Sequence, residues 1–154
     1  MPEFKSSLIA VADVARSRAF YEGLIGQEVE FDFGPNVSFK GGFAIHDRTH
    51  FAQLLGEGFN VRDDGVRGEL YFEEDALPEL EARLRDAGTR FVHGLREQPW
   101  AQRVFRCLDP DGHVVEVGET LRGLARRLAG TGMDADAIAA RTGLPAAYAR
   151  ELLA

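Results

Sequence analysis

The chain has 154 residues, 45% of them hydrophobic and 28% charged, with one cysteine and a net charge of −7; these are the proportions of a globular domain long enough to bury a core. The lone Cys107 excludes an internal disulfide framework, so a reducing cytoplasm is the expected setting, and the opening MPEFKSSLIAVADV fits neither a signal peptide nor a membrane span. Charge is uneven: residues 1–119 hold 13 Lys/Arg against 22 Asp/Glu, and residues 120–154 hold 5 against 3, so the acidic body argues against nucleic acid as the main partner.

In chain order, SSLIAVADV (6–14) is a β-branched, apolar run that predicts a strand. ARSRAFYEGLIG (15–26) predicts an amphipathic helix with Ala19, Phe20, Leu24 and Ile25 on one side, ending at Gly26. EVEFDF (28–33), NVSFKG (36–41) and FAIHD (43–47) follow as short strands split by Gly-Pro and Gly-Gly turns. HFAQLLGEGFNVRDDGVRG (50–68) reads as a helical turn and a Gly/Asp-rich loop, a linker or a lid.

The order then repeats. ELYFE (69–73) predicts a strand and ALPELEARLRDAG (76–88) a helix, with Leu77, Leu80 and Leu84 on one face and Gly88 at its end. TRFVH (89–93), QRVFRCL (102–108) and HVVEV (113–117) are the next strands. Asp109 and Pro110 start a tight turn in which Gly112 takes the conformation other residues avoid. Alternation assigns Leu70 and Phe72 to the helix side of ELYFE, and Val115 and Val117 to that of HVVEV. Glu69, Tyr71, Glu73 and Glu116 are left on a shared inner face. Two carboxylates there are metal ligands, a proton-sharing pair or partners of arginines, Arg103 or Arg106. Trp100, Tyr71 and Phe105 could line a ligand pocket or belong to ordinary core. His93 and His113 read as surface or hydrogen-bonded residues, and Cys107 as a small buried side chain. No phosphate-binding loop, dinucleotide fingerprint, nucleophile elbow or zinc-finger spacing occurs, so no nucleotide cofactor is expected.

IAVADVARSRAFYEGLIG (9–26) and REQPWAQRVFRCLDPDGHVVEVGE (96–119) resemble the opening and closing segments of vicinal-oxygen-chelate proteins, the superfamily of glyoxalases, bleomycin-resistance proteins and extradiol dioxygenases. The resemblance spans about residues 6–119. It implies an α+β fold of two tandem βαβββ modules forming a curled mixed sheet, near 6–48 and 68–119, joined by a linker at 49–67 and followed by a helical tail at 120–154. It also implies metal ligands on the first and last strands of each module. Carried across, these are Ser6, where relatives often have His, and His46, Glu69 and Glu116. Ser6 is a poor ligand, so His46, Glu69 and Glu116 form the expected metal set for Fe, Mn, Ni or Zn, with Glu116 and Glu69 as the catalytic pair. Tyr71, Trp100, Arg103 and Phe105 are the expected ligand-binding residues.

The tail, LRGLARRLAGTGMDADAIAARTGLPAAYARELLA (121–154), predicts helices. Asp134 as N-cap, Gly143 at the turn and Pro145 at the start of the next helix outline a helix-turn-helix. The second helix opens on Pro145, Ala146, Ala147 and Tyr148, which offer almost no hydrogen bonds to bases. A helical pair packed on the domain, or across a dimer through Leu124, Leu128, Ile138, Leu144 and Leu152, is the expectation. Three functions follow: a divalent-metal-dependent lyase, isomerase or dioxygenase acting on a small molecule; a metal-free binding or resistance protein; and, third, a ligand-responsive regulator. The resemblance also implies a homodimer, because half-barrels of this kind leave sheet edges to cover.

Overall fold

The structure, a computed structural model, describes residues 5–56, 61 and 69–154. The chain forms two compact units, residues 1–67 with 109–113, and 68–108 with 114–154.

The first unit runs β1 (Ser7–Val11), α1 (Val14–Arg18), β2 (Val29–Asp32), β3 (Asn36–Phe39), β4 (Phe43–Asp47) and α2 (Arg48–Leu55). Its sheet has the order β1-β4-β3-β2, with β1 parallel to β4 and the other pairs antiparallel. Asp13 caps α1 by accepting the Arg16 amide. The helix then widens into π-helical turns over Ala19–Leu24. A regular helix rotates neighbours apart by about 100°, whereas here the adjacent Phe20 and Tyr21 are both buried and meet edge to face. Tyr21 also packs on Phe39 and Phe43, which with Val11, Val37 and Ile45 make the apolar side of the sheet.

The Asp109–His113 turn belongs to this unit and does more than reverse the chain. Gly112 adopts φ 90° as its position requires. The buried Asp111 carboxylate accepts the Ala12 amide at 2.9 Å and the Ser17 hydroxyl at 3.2 Å, and pairs with Arg16 and Arg48. Asp109 accepts the Tyr21 hydroxyl at 2.9 Å and the amides of Asp111 and His113. Burial works against its charge, but the His113 imidazole at 2.9 Å and these donors hold its carboxyl below the usual range. The same contact raises His113. Asp111 thus satisfies the start of α1, while Asp109 ties the turn to Tyr21.

The second unit repeats the pattern with β5 (Glu69–Glu73), α3 (Leu77–Asp86), β6 (Phe91–Glu97), β7 (Arg103–Leu108) and β8 (Val114–Gly118), in the order β5-β8-β7-β6. Phe105, Cys107, Val115 and Val117 are buried on one side, with Leu77, Leu80 and Leu84 of α3 also buried. Strand β6 lies farther along the chain than the sequence suggested, and its pairing with β7 slips between Phe91 and His93 and again between His93 and Arg96. Gly94 lies within the second irregular stretch. A Cβ there would lie 2.8 Å from both Glu81 Oε1 and an Arg85 Nη, so a side chain at this position would have to push the ends of that ion pair aside.

The tail is three helices, not two: α4 (Leu121–Ala129), α5 (Ala135–Thr142) and α6 (Ala146–Leu153). Asp134 caps α5, and Gly143 ends it at φ 79°. Leu124, Leu128, Ile138 and Ala149 pack with Ala101 into one buried cluster. Ala101 sits at φ 68°, a conformation alanine rarely adopts, with its side chain fully buried. Of the residues expected to offer apolar surface to a dimer, Leu124, Leu128, Ile138 and Leu152 are buried within the protomer and Leu144 is half-buried. Of the linker, α2 fills the first part, and residues 57–60 and 62–68 lie outside the described residues. No described helix is long and apolar enough to cross a membrane.

Candidate functional site

The side of the second sheet away from its apolar layer carries the site. Pairing sets Tyr71 of β5 beside Glu116 of β8, Glu116 beside Arg106 of β7, and Arg106 beside His93 of β6, one row across four strands. Glu116 is only 5% exposed. Arg106 binds its carboxylate through Nη2 and that of Glu69 through Nε at 2.9 Å. The shared partner proves that Glu69 and Glu116 lie on the same face, as alternation required. His93 closes the group: its Nδ1 lies 2.9 Å from the Gly94 carbonyl and so carries the proton, leaving Nε2 to accept from Arg106 Nη1 at 3.3 Å.

A second chain of hydrogen bonds crosses the other end of this face. The Trp100 indole donates to Gln102 Oε1 at 3.1 Å, and Gln102 Nε2 donates to the Tyr71 hydroxyl at 2.7 Å and to the Glu119 carbonyl at 2.8 Å. Tyr71 donates onward to Glu73 at 3.0 Å. Burial, with Glu73 beside it, pushes the Tyr71 phenol up to about 12, so it stays a donor at neutral pH. Gly118 makes the crossing feasible, since a Cβ there would stand 2.7 Å from Gln102 Nε2 and 3.2 Å from the Tyr71 ring.

Not every expected ligand contact lies here. Phe105 is fully buried against Phe91 in the apolar layer, the other parity of β7. Arg103 shares that parity and turns to the buried Glu119, which also accepts from Arg127 of α4 at 2.5 Å. Burial opposes the Glu119 charge, yet these guanidinium contacts hold its carboxyl below the usual range. Arg103 thus anchors the tail, and Arg106 holds the place on the polar face. Sequence reasoning also passed over His93 as a member of this group, and over Gln102. For Arg106 the signal was its position opposite Glu116 across the Asp109–His113 hairpin.

In the first unit, pairing sets His46 between Ala10 and Asn36. His46 is buried, and its Nδ1 accepts from the Asn36 amide at 3.0 Å, so its proton resides on Nε2 and is donated to His50 Nδ1 at 2.7 Å. The two rings stack at 5.0 Å. Burial, and then the neighbouring His50, lower the His46 pKa, which keeps it neutral. His50 was missed because it falls in the stretch read as a linker. Ser6 is exposed just before β1, and its hydroxyl donates to the Ser7 carbonyl.

The divalent ion that the resemblance implies can be tested at the two carboxylates sharing a unit. An ion would need both carboxylates, and one oxygen of each, Oε2, already faces the Arg106 guanidinium. Inserting a second cation beside a resident one costs electrostatic energy. As they stand, Glu69 and Glu116 do not fit an open ion site. Among the described residues, no group of three or more His, Cys, Asp or Glu is placed to hold an ion.

The glyoxalase-like domain family model matches residues 4–122. A crystal structure of a protein of unknown function from Agrobacterium tumefaciens is 35% identical, with a TM-score of 0.71 over 79% of this chain and 96% of that one. A glyoxalase-related enzyme from Fulvimarina pelagi is 21% identical, with a TM-score of 0.63 over 75% and 88%. A glyoxalase/bleomycin resistance protein/dioxygenase family enzyme from Burkholderia phytofirmans is 17% identical, with a TM-score of 0.68 over 78% and 100%. No curated protein matches. With two units of the same strand order, and a family match over most of its length, the chain belongs to the glyoxalase-like family of the vicinal-oxygen-chelate superfamily.

Proposed function

We propose that the protein binds a small molecule on the polar face of the second sheet and does so without a metal, as a binding member of its family rather than a metal-dependent lyase, isomerase or dioxygenase. The observation that supports this reading is the engagement of both candidate ligand carboxylates by Arg106. The half-exposed rings of Tyr71 and Trp100, joined through Gln102, offer flat apolar surface beside fixed donors and acceptors, the mixture that orients an organic ligand. Arg106 already balances one of its two carboxylates, so the face is better suited to a neutral or cationic group than to an anion.

The test is thermal melting of metal-stripped wild type and Glu116→Gln, with and without Mn(II), Fe(II), Ni(II) or Zn(II). An ion bound to the folded state at a hundredfold excess over its dissociation constant adds about 2.7 kcal/mol. The expected result is no rise that depends on Glu116. A rise in wild type that Glu116→Gln removes would establish the metalloenzyme reading instead. A rise that persists in Glu116→Gln and vanishes in His50→Asn belongs to the His46–His50 pair and leaves the proposal standing.

A further inference from the structure

We infer that the C-terminal helices are part of the ligand face: Arg127 of α4 and Arg141 of α5 position Trp100 and Gln102 by gripping the loop that joins β6 to β7. The inference rests on the reading above in one respect, that Trp100 and Gln102 belong to the face a ligand meets. Within the loop, the Gln98 amide donates to the Gln102 carbonyl at 2.8 Å and the Ala101 amide to the Gln98 carbonyl at 2.9 Å. The carbonyls of Pro99 and Ala101, which flank Trp100 along the chain, accept instead from the tail. Arg141 Nη1 donates to Pro99 at 2.5 Å and Arg127 Nη2 to Ala101 at 2.6 Å. Trp100 is thus held by a cation from the tail on each side, and its indole meets the buried Gln102 that reaches Tyr71.

Both ends of the loop are tied to the same guanidinium groups. Arg127 bonds Glu119 through Nε and Nη2 and reaches Glu97 at the end of β6 through Nη1, while Arg141 Nη2 donates to the other Glu97 oxygen at 2.9 Å. Glu119 in turn accepts the Gln102 side chain on its carbonyl, so Arg127 touches the supports of Gln102 as well as the loop itself. Apolar packing acts at the same place. Ala101 holds φ 68°, a conformation that glycine would take freely, and its methyl is buried with Leu124, Leu128, Ile138 and Ala149, all of them tail residues. The loop conformation and the tail packing therefore depend on each other. Arg127 and Arg141 lie beyond residues 4–122, the stretch matched by the family model, so this grip is an addition that the chain makes to the family domain. Arg150 gives the contrast, since it pairs with Asp136 inside the tail.

The experiment uses Trp100, the only tryptophan, as its own reporter in the full-length protein. Emission and acrylamide quenching are measured for wild type, Arg127→Gln, Arg141→Gln and the control Arg150→Gln, each well below its melting temperature. The ring is 40% exposed in wild type, so freeing the loop in Arg127→Gln or Arg141→Gln should raise quenching about 1.5- to 2-fold and move the emission to the red. Arg150→Gln should change neither. If both loop variants are folded, melt lower and keep the wild-type emission and quenching, the arginines only add stability and the inference is overturned. An equal change in Arg150→Gln also overturns it, because any loosening of the tail would then suffice. Should Arg127→Gln not fold, Arg141→Gln decides alone, its side chain being more than one-third exposed. A Glu116-dependent rise in melting with metal would replace the metal-free reading and leave this result as it stands, since Trp100 is read here without any ligand.

Discussion

The two sheets share one strand order, yet the faces that they turn away from their apolar layers differ in chemistry. In the first, His46 lies between Ala10 and Asn36; at the corresponding place in the second, Glu116 lies between Tyr71 and Arg106. One row is a neutral hydrogen-bonded relay ending on His50, and the other is an ionic knot of three charged groups. The apolar halves of the strands are alike because they do the same work, burying Phe39, Phe43 and Ile45 in one unit and Phe105, Val115 and Val117 in the other. Folding thus constrains alternate residues of each strand, and the intervening ones are left to carry chemistry.

The largest expected effect comes from exchanging the two rows. Arg106→Met leaves the buried Glu116 carboxylate without its cation and should lower unfolding free energy by about 3–5 kcal/mol. Asn36→Ala at the matching position removes one neutral hydrogen bond and should cost about 1 kcal/mol. Urea denaturation of both variants measures the contrast, and equal losses would erase the distinction between an ionic and a neutral row.

Glycines sharpen the comparison at intermediate size. Gly118→Ala forces its methyl into Gln102 and the Tyr71 ring and should cost about 1–3 kcal/mol. Trp100 is the only tryptophan and bonds to Gln102, so its emission should shift in the same variant. Gly23→Ala in the first unit meets nothing within 4 Å and should be neutral or stabilising by about 0.5–1 kcal/mol. An unshifted Trp100 spectrum in Gly118→Ala would separate the indole from the Tyr71 chain.

The smallest effect is a pH dependence within the first unit, where two histidines act with opposite sign. Contact with Asp109 raises His113, so its contribution is full below the unfolded value of 6.5 and is lost as pH rises through the raised folded value. Asp109 is depressed, and its share is lost as pH falls through its lowered folded value. Burial lowers His46, so its effect reverses that of His113: stability falls as pH drops below 6.5. Melting temperature against pH should therefore fall more steeply on the acid side in His113→Gln and less steeply in His46→Gln. Identical profiles would show that neither histidine changes its proton affinity on folding.

Assembly is checked separately. The homodimer expected from the resemblance remains a proposal; Leu124, Leu128 and Leu152 are buried in the protomer, and exposed apolar groups such as Phe31, Phe33, Tyr148 and Leu153 are available to it. Light scattering at micromolar concentration distinguishes it from a monomer.

Local signals made much of the architecture legible. Strand and helix order, the Asp-Pro-Asp-Gly turn, the Asp134 cap and the Gly143 stop follow from alternation, side-chain capping and backbone sterics, which act over a few residues. The shared face of Glu69 and Glu116 was readable for the same reason, since strand parity is local once the apolar residues are identified. The partners of those residues were decided by tertiary structure. Choosing Arg106 over Arg103 needs the parity of β7, which a one-residue slip would invert, and the pairing of that strand fixes it. His93 enters its row only through irregular pairing around Gly94, and Asp111 meets Arg16 and Ser17 across more than ninety residues of sequence. Sequence alone determined which residues could carry charge and on which side of a strand. Which charges meet depended on strand register and chain reversal, because electrostatic partners are selected by distance in space and leave no periodic trace along the chain.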